Sequence, residues 1–522
     1  MAQVSAQLAA LLQQGLEFHR QGRVGQAEPI YREILAAHPN HADALQLLAV
    51  IVQNAGQAAE AETLFRKSLA VDPKQPAVWY NLGNLLFTQH RFIDALDAFD
   101  RALRLRPTYA AAFANRSAAL SALGRHDQAL LSADRAVALD PGNPQAHSNR
   151  GAALTALKRP AEAVTSIEKA LALGPDNLET LYSRGRALMS LNRLNDAIAD
   201  FTRVFASAPT HPAANFNDAI ARLTLGDMPA AWEKYEWRWQ NPPLIGKRPA
   251  FSQPTWNGEG ITGKTILIYG EQGMGDVIQF FRYLPLVAAR AGHTVAIVPR
   301  PLKALLAGMI SGVEILAPDD ALPSFDAQCA LMSLPRVFQT GLTNIPGLAP
   351  YISAPADAHA RWDAKLAPKS ATRVGVVWAG NADHPNDRCR SISVKRLEPL
   401  LACDVELVSL QKDLRSGDAT WLKKRDVRHY SAEVNDFTDT AALVGLMDVV
   451  ISVDTSVAHL AGAMGKETWV LLPATDVDWR WMLDREDSPW YPTARLFRQP
   501  AHGDWDSVIL RVANALPKRA AT

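Results

Sequence analysis

Seven alanines, Ala27, Ala61, Ala95, Ala129, Ala163, Ala197 and Ala231, recur every 34 residues. Six prolines, Pro39, Pro73, Pro107, Pro141, Pro175 and Pro209, keep step twelve residues behind them. A period held without slippage through seven copies requires one helix-turn-helix unit, copied and stacked. A single pair of short helices cannot bury its own apolar face. The small Ala belongs where the two helices of a unit cross closely. The Pro closes the second helix, because its ring and missing N–H cannot continue the ladder. The first half of the chain is therefore expected to be an α-solenoid.

Bulk properties narrow the functional classes. At 522 residues the chain is too long for a single core. Lys plus Arg (54) nearly cancels Asp plus Glu (53), so no global field draws it to nucleic acid or an anionic membrane. No apolar run approaches the roughly 20 residues that span a bilayer, so no transmembrane segment is expected. Residues Met1 to His19 read as an amphipathic helix without the basic start and compact apolar stretch of a secretion signal. Cys329, Cys389 and Cys403 are too scattered for a disulfide framework or a zinc site. These features point to a cytoplasmic location.

The pattern changes after residue 240. Residues 1–240 read as the repeat array, and 241–263, rich in Pro, Gly and Asn, as a connector. Beyond it, short apolar runs alternate with helical stretches. Thr265–Tyr269, Thr294–Val298 and Asp326–Leu331 read as strands of one unit, 264–360. Arg373–Trp378, Val405–Leu410, Asp448–Val453 and Glu467–Leu472 read as strands of a second, 361–522. Continuous apolar strands alternating with helices imply parallel sheets covered on both faces. Two such units in tandem suggest two Rossmann-like domains facing across a cleft. A closing helix from about Asp504 to Ala515 is expected to return to the first of them.

Chemistry concentrates in loops at strand ends. Gly270-Glu271-Gln272-Gly273-Met274-Gly275-Asp276 follows a strand and opens a helix, where glycines let backbone N–H groups approach a ligand. Alternatively, the glycines only shape a turn and Asp276 only caps the helix. The loop is not G-x-G-x-x-G, which argues against a dinucleotide cofactor. Trp378-Ala379-Gly380-Asn381 leads through His384 to Asp387-Arg388-Cys389-Arg390-Ser391, whose two arginines suit a diphosphate. An incidental surface loop is the other reading. Asp454-Thr455-Ser456 ends a strand and opens a helix whose first N–H groups suit phosphate oxygens, with His459 one turn on. A histidine on such an Ala-rich helix also serves as a structural hydrogen-bonder. Gln411 and Lys412 end another strand, offering contacts to a base or ribose and to phosphate, or an ordinary polar cap. Asp476-Val477-Asp478 matches D-x-D in letters only, and no metal is assigned.

Trp79, Leu82, Gly83, Leu86, Ala95, Phe99, Ala102 and Pro107 match the tetratricopeptide repeat at nearly every signature position. The seventh copy keeps Ala219, Ala231 and Tyr235, then gives way to Trp237 and Trp239, as at a cap or junction. The runs GEQGMGDVIQFFRYLPLV, WAGNADHPNDRCRSIS and VISVDTSVAHLAGAMGKETWVLL resemble ADP-heptose:lipopolysaccharide heptosyltransferases and their relatives. That resemblance implies the GT-B fold, with the acceptor on the first domain and a nucleotide-sugar donor on the second. It implies Asp276 as general base beside an acceptor-side loop of Glu271, Gln272, Gly273 and Gly275. Asp454, Thr455, Ser456 and His459 become donor-diphosphate ligands, joined by Asn381, Arg388, Arg390, Ser391, Gln411 and Lys412. Ser456 stands where many heptosyltransferases have Gly. Repeats fused to such a module also resemble O-GlcNAc transferase and bacterial flagellin glycosyltransferases, which implies a protein acceptor. Asn81, Asn115, Asn149 and Asn217, at the sixth place of their repeats with Ser183 interrupting, correspond to the amide ladder that grips peptide backbone in O-GlcNAc transferase. Alternatively these amides serve neighbouring helices. The implied reaction is metal-independent glycosyl transfer with no cofactor beyond the nucleotide sugar. A glycan- or lipid-directed enzyme and a catalytically inactive scaffold remain the alternatives.

Overall fold

The computed structural model describes residues 2–518 except 176, 242, 243, 348, 349, 367 and 385. It divides into two compact units, Met1–Leu191 and Asn192–Thr522. The first unit is a run of helices: Ala2–Arg20, Val24–Ala37, Ala42–Asn54, Ala58–Val71, Pro76–Thr88, Phe92–Leu105, Ala110–Ala122, His126–Leu139, Pro144–Ala156, Pro160–Leu173 and Leu178–Ser190. Each packs on the one before and the one after. The second helix of each pair stops two residues short of the periodic proline, and the periodic alanines are fully buried.

Within a repeat, packing of the two helices explains a substitution in the pattern. A Cβ on Gly83 would lie 2.6 Å from the Phe99 ring, and one on Gly151 would lie 2.2 Å from Ile167. Both partners stand sixteen residues on. At Ser117 the equivalent partner is Ala133, which leaves room, and the Ser117 hydroxyl donates to the Ala129 carbonyl at 2.8 Å. Bulk on one helix is traded against bulk on the other.

The second unit opens with helices Leu194–Ser207, Pro212–Leu225 and Met228–Tyr235 and the tight turn Glu236–Gln240. Two parallel sheets follow. Strands β1 (Ile261–Tyr269), β2 (Ala291–Ile297), β3 (Val313–Leu316) and β4 (Ala327–Ala330) are ordered β3-β2-β1-β4. Strands β5 (Thr372–Val377), β6 (Val405–Ser409), β7 (Arg428–His429), β8 (Val449–Val453), β9 (Glu467–Leu472) and β10 (Ala494–Arg498) are ordered β10-β9-β8-β5-β6-β7. Every pairing between these strands is parallel. The second order is doubly wound, with its switch point between β5 and β8, where loops after the two strands diverge and leave a crevice. Alternation partitions the core. Val377, Val450, Val470 and Leu472 face a cluster shared with the first sheet, whereas Val376, Ile451, Val453 and Leu471 face the opposite side.

One sequence expectation needs correction here. The C-terminal helix, Trp505–Ala515, does not return to the first sheet. It packs on Val394–Ala402 and β10, and its Val508, Ile509 and Val512 cover the outer face of the second sheet, which has apolar side chains to bury. The crossing occurs earlier, where Trp479, Trp481, Trp490 and Tyr491 join the core around Phe280 and Tyr283. The repeat helices expected up to residue 240 are present through Met228–Tyr235, the last of them in the second compact unit, which begins at Asn192. There Trp232 and Tyr235 of the seventh repeat lie 5.6 and 6.5 Å from Trp479. Strands β3, β7 and β10 were not foreseen; they are short or carry Glu and Arg. Among the described residues no helix is long and apolar enough to cross a membrane.

Gly83→Ala is expected to destabilise the protein by about 1–3 kcal/mol, the usual cost of overpacking. Ser117→Ala keeps the Cβ that Ala133 accommodates and loses only one hydrogen bond, about 1 kcal/mol. Denaturant unfolding of the two variants measures the difference.

Candidate functional site

Loops from both sheets converge on one cavity of about 560 Å³. The loop after β1 contributes Glu271, Gln272, Gly273, Gly275 and Asp276; the loop after β5 contributes Asn381, His384 and Arg390. The turn after β8 adds Asp454, Thr455, Ser456 and His459, and the segment after β9 adds Asp478 and Arg480. Phe216, on helix Pro212–Leu225, also lines it, as do Arg238 and Lys247. A second cavity of about 380 Å³ shares Met274, Asn381 and Ser456 and is walled by Val377, Leu410 and Phe437.

The two sheets meet through the helix after β1 and the helix after β8. A Cβ on Gly275 would lie 2.8 Å from His459 Cδ2 and 3.5 Å from Ser456 Cα, so only glycine permits this approach of Met274–Phe280 to Ser456–Ala463. One oxygen of Asp276 accepts the Gly273 N–H at 2.8 Å, and the other pairs with Arg480. Burial pushes the Asp276 carboxyl above its ordinary value, and Arg480 offsets part of this. Arg480 also donates to both oxygens of Asp478 at 3.0 Å and through Nε to Gln279. Despite its own burial, Asp478 is held below the usual carboxylate range by that guanidinium.

On the wall formed by the second sheet, Arg390 donates to the Asp454 carbonyl at 3.0 Å. Burial, with the Asp478 charge adding, pushes the Asp454 carboxyl up to about 6. His459 is stacked on Trp481 at 5.3 Å, and its Nδ1 lies 2.9 Å from the Tyr491 hydroxyl. Burial and then Arg480 push the imidazole down to about 3, so it is neutral at pH 7. When Nδ1 accepts from Tyr491, Nε2 carries the proton and serves as a neutral donor. Thr455 Oγ1 is 3.0 Å from Ser452 Oγ.

Other expected ligands are already committed. The Gln411 side-chain oxygen accepts from the Trp378 and Ala379 N–H groups at 3.2 and 3.0 Å, and its nitrogen donates to the Ala379 and Asp413 carbonyls at 2.9 and 3.1 Å. That amide builds the loop and offers no free edge to a base. Lys412 donates to the Ser431 and Val434 carbonyls at 2.7 and 2.5 Å, pinning that loop. Ser391 donates to Asp387 at 2.6 Å and accepts from the Gly380 N–H at 2.9 Å. Arg388 is exposed and outside the cavity lining, because residues two apart on the turn Asp387–Arg390 point different ways. In the first unit, Asn149 is buried, donates to Ala114 O at 2.7 Å and accepts from Gln145 at 2.8 Å. Asn115 donates to Asn84 and Tyr80 at 2.7 and 3.2 Å. These amides join successive repeats. Asn81 and Asn217 are half-buried on their helices.

Two arginines went unforeseen. Arg480 is one; the other is Arg238, fully buried after the seventh repeat, which donates to Glu271 at 2.9 Å, Ser333 at 2.8 Å and Glu236 at 2.7 Å. Burial, against the pull of Arg238, pushes the Glu271 carboxyl up to about 7.

The chain carries tetratricopeptide repeats followed by a pair of parallel α/β sheets around a charged crevice. Models of the tetratricopeptide repeat match residues 18–85, 76–109, 116–177 and 182–236. The chain is similar to Protein FlbA of Caulobacter vibrioides, 29% identical over 340 residues covering 59% of this chain. It spans 55% of the length of that curated relative. Among solved structures it is similar to MamA, 26% identical over 31% of this chain and 94% of that one, with a TM-score of 0.29. It is also similar to PilF of Pseudomonas aeruginosa, 22% identical over 40% of this chain and 94% of that one, with a TM-score of 0.36.

His459 and Asp454 give opposite pH responses. His459 binds a proton more readily unfolded, so its contribution to stability is lost as pH falls from 6.5 toward about 3. Asp454 binds one more readily folded, so its contribution grows as pH falls from about 6 toward 3.8. His459→Gln should therefore gain stability on acidification relative to the parent, and Asp454→Asn should lose it, each on the order of 1–3 kcal/mol. Unfolding curves across that range test this; parallel shifts of both variants would contradict it.

Proposed function

We propose that this chain is a glycosyltransferase that moves a sugar from a nucleotide-sugar donor to a protein acceptor recruited by its repeats. One observation carries the reading: strand-end loops of both sheets and Phe216 of the last repeat line the same cavity. Crevices beyond the carboxyl ends of parallel strands are where α/β sheets bind ligands. In this reading the paired sheets are the two halves of a GT-B fold. Asp276 takes the proton from an acceptor hydroxyl whose oxygen attacks the anomeric carbon. The bond from that carbon to the donor diphosphate breaks, and the diphosphate leaves with the electron pair. Arg390, the free N–H groups opening Ser456–Ala463 and the His459 Nε2–H stabilise the departing charge. The nucleoside occupies the adjoining cavity beside Val377, Leu410 and Phe437. Lys247 and Phe216 face the acceptor.

A second reading, a nucleotide-binding scaffold without turnover, is favoured by the occupation of both Asp276 oxygens. Incubation with ADP-, UDP-, GDP- and CMP-sugars and candidate acceptor proteins distinguishes the two. Release of free nucleotide that depends on acceptor is expected, with Asp276→Asn lowering kcat by about 10²–10⁴. A loss of less than about threefold would remove Asp276 from the base role. Nucleotide binding without transfer to any acceptor would favour the scaffold.

A further inference from the structure

Arg480 is a heavily engaged side chain in the cavity, and glycosyl transfer as described above leaves it unused. Its side chain is 6% exposed. Asp478 grips one edge of the guanidinium through both oxygens, Gln279 takes Nε, and the Trp479 ring lies 4.4 Å away. Only the Nη2 edge reaches across to Asp276, on the helix that follows β1. That edge therefore joins the carboxylate read as the base to the wall on which a diphosphate would rest. Arg390, the other guanidinium on the wall, has a buried Nε with no protein partner.

Charge decides what an anion does here. Glu271, Asp276, Asp454 and Asp478 line the cavity with Arg238, Lys247, Arg390 and Arg480. Arg238 is held by Glu271 and Glu236, which leaves Arg390 and Arg480 as the guanidinium groups beside the three aspartates. His459, from the helix after β8, is neutral, and His384 from the loop after β5 is held below its ordinary value by burial and Arg390. Tyr235, from Met228–Tyr235, stays protonated because burial raises it. A diphosphate brings at least two more negative charges into a site whose lining carboxylates and cations otherwise balance. It must draw on the guanidinium groups, and the carboxylate that loses its share becomes the more basic one.

We propose that Arg480 is a positioning residue that couples the diphosphate site to Asp276: an anion entering the cavity draws the Nη2 edge toward itself and withdraws the counter-ion from the carboxylate. This inference rests on the glycosyltransferase reading and deepens it. It makes Asp276 a strong base only when the donor is present. A bound nucleoside diphosphate corresponds to the state after transfer, in which Asp276 carries the acceptor's proton.

Calorimetric titration of the full chain with ADP, UDP and GDP, near neutral pH and in buffers of different ionisation enthalpy, tests the coupling. Whichever nucleotide binds should do so with net proton uptake, and Asp276→Asn should diminish that uptake. Arg480→Lys keeps the charge but loses the fork, and should weaken binding by about tenfold or more while reducing uptake. Binding without uptake, or uptake undiminished in Asp276→Asn, would overturn the coupling and leave the proposed transfer standing. Absence of binding by all three nucleotides would overturn the proposed transfer itself, and the coupling with it.

Discussion

A buried guanidinium cannot stand alone, and the second unit is organised around two of them. Arg480 lies between Asp478 on its own turn and Asp276 on the helix after β1. Arg238 lies between Glu236 on its own turn and Glu271 on the loop after β1. Removing such a charge from water costs several kcal/mol unless carboxylates and further hydrogen bonds compensate. Each arginine therefore fixes the position of the β1 loop, from one side through the segment after β9 and from the other through the end of the seventh repeat. The cavity is the space left between these anchors.

The same loop explains why the repeat array loses its pattern where it does. A repeat whose far face meets water can keep its closing proline. The seventh instead meets the sheets, so Trp232 donates to the Thr340 carbonyl at 2.8 Å and stacks edge-on with Trp479. Tyr235 accepts from Gln272 at 3.1 Å. Helix Pro212–Leu225 thereby contributes Phe216 to the cavity wall.

Much of this was legible in the residues. The alanine and proline periods give the helices and their ends, because both depend on local sterics that repeat in every copy. Seven strands and the three strand-end loops are equally plain, since apolar runs and glycine turns are local signals. Long-range pairing was not. Gln411, Lys412 and Ser391 have the right chemistry for a ligand, but loop backbone claims them first, and no local pattern reports which carbonyl an amide will meet. Asn115 and Asn149 likewise satisfy the preceding repeat. Arg388 and Arg390 look equivalent in a row of letters, yet a short helical turn sends only Arg390 into the crevice. The two anchoring arginines did leave a trace. Each stands between tryptophans beside an acid, in Glu236-Trp237-Arg238-Trp239 and Asp478-Trp479-Arg480-Trp481, a pattern suited to a buried, stacked guanidinium.

The bridge between Arg480 and Asp276 is measured most directly by a double-mutant cycle on unfolding free energy, using Arg480→Met, Asp276→Asn and the pair. Because the contact is buried and charge-assisted, a coupling of at least about 1.5 kcal/mol is expected. A coupling within about 0.5 kcal/mol of zero would mean that the two residues act independently and that the crevice is held together by other contacts.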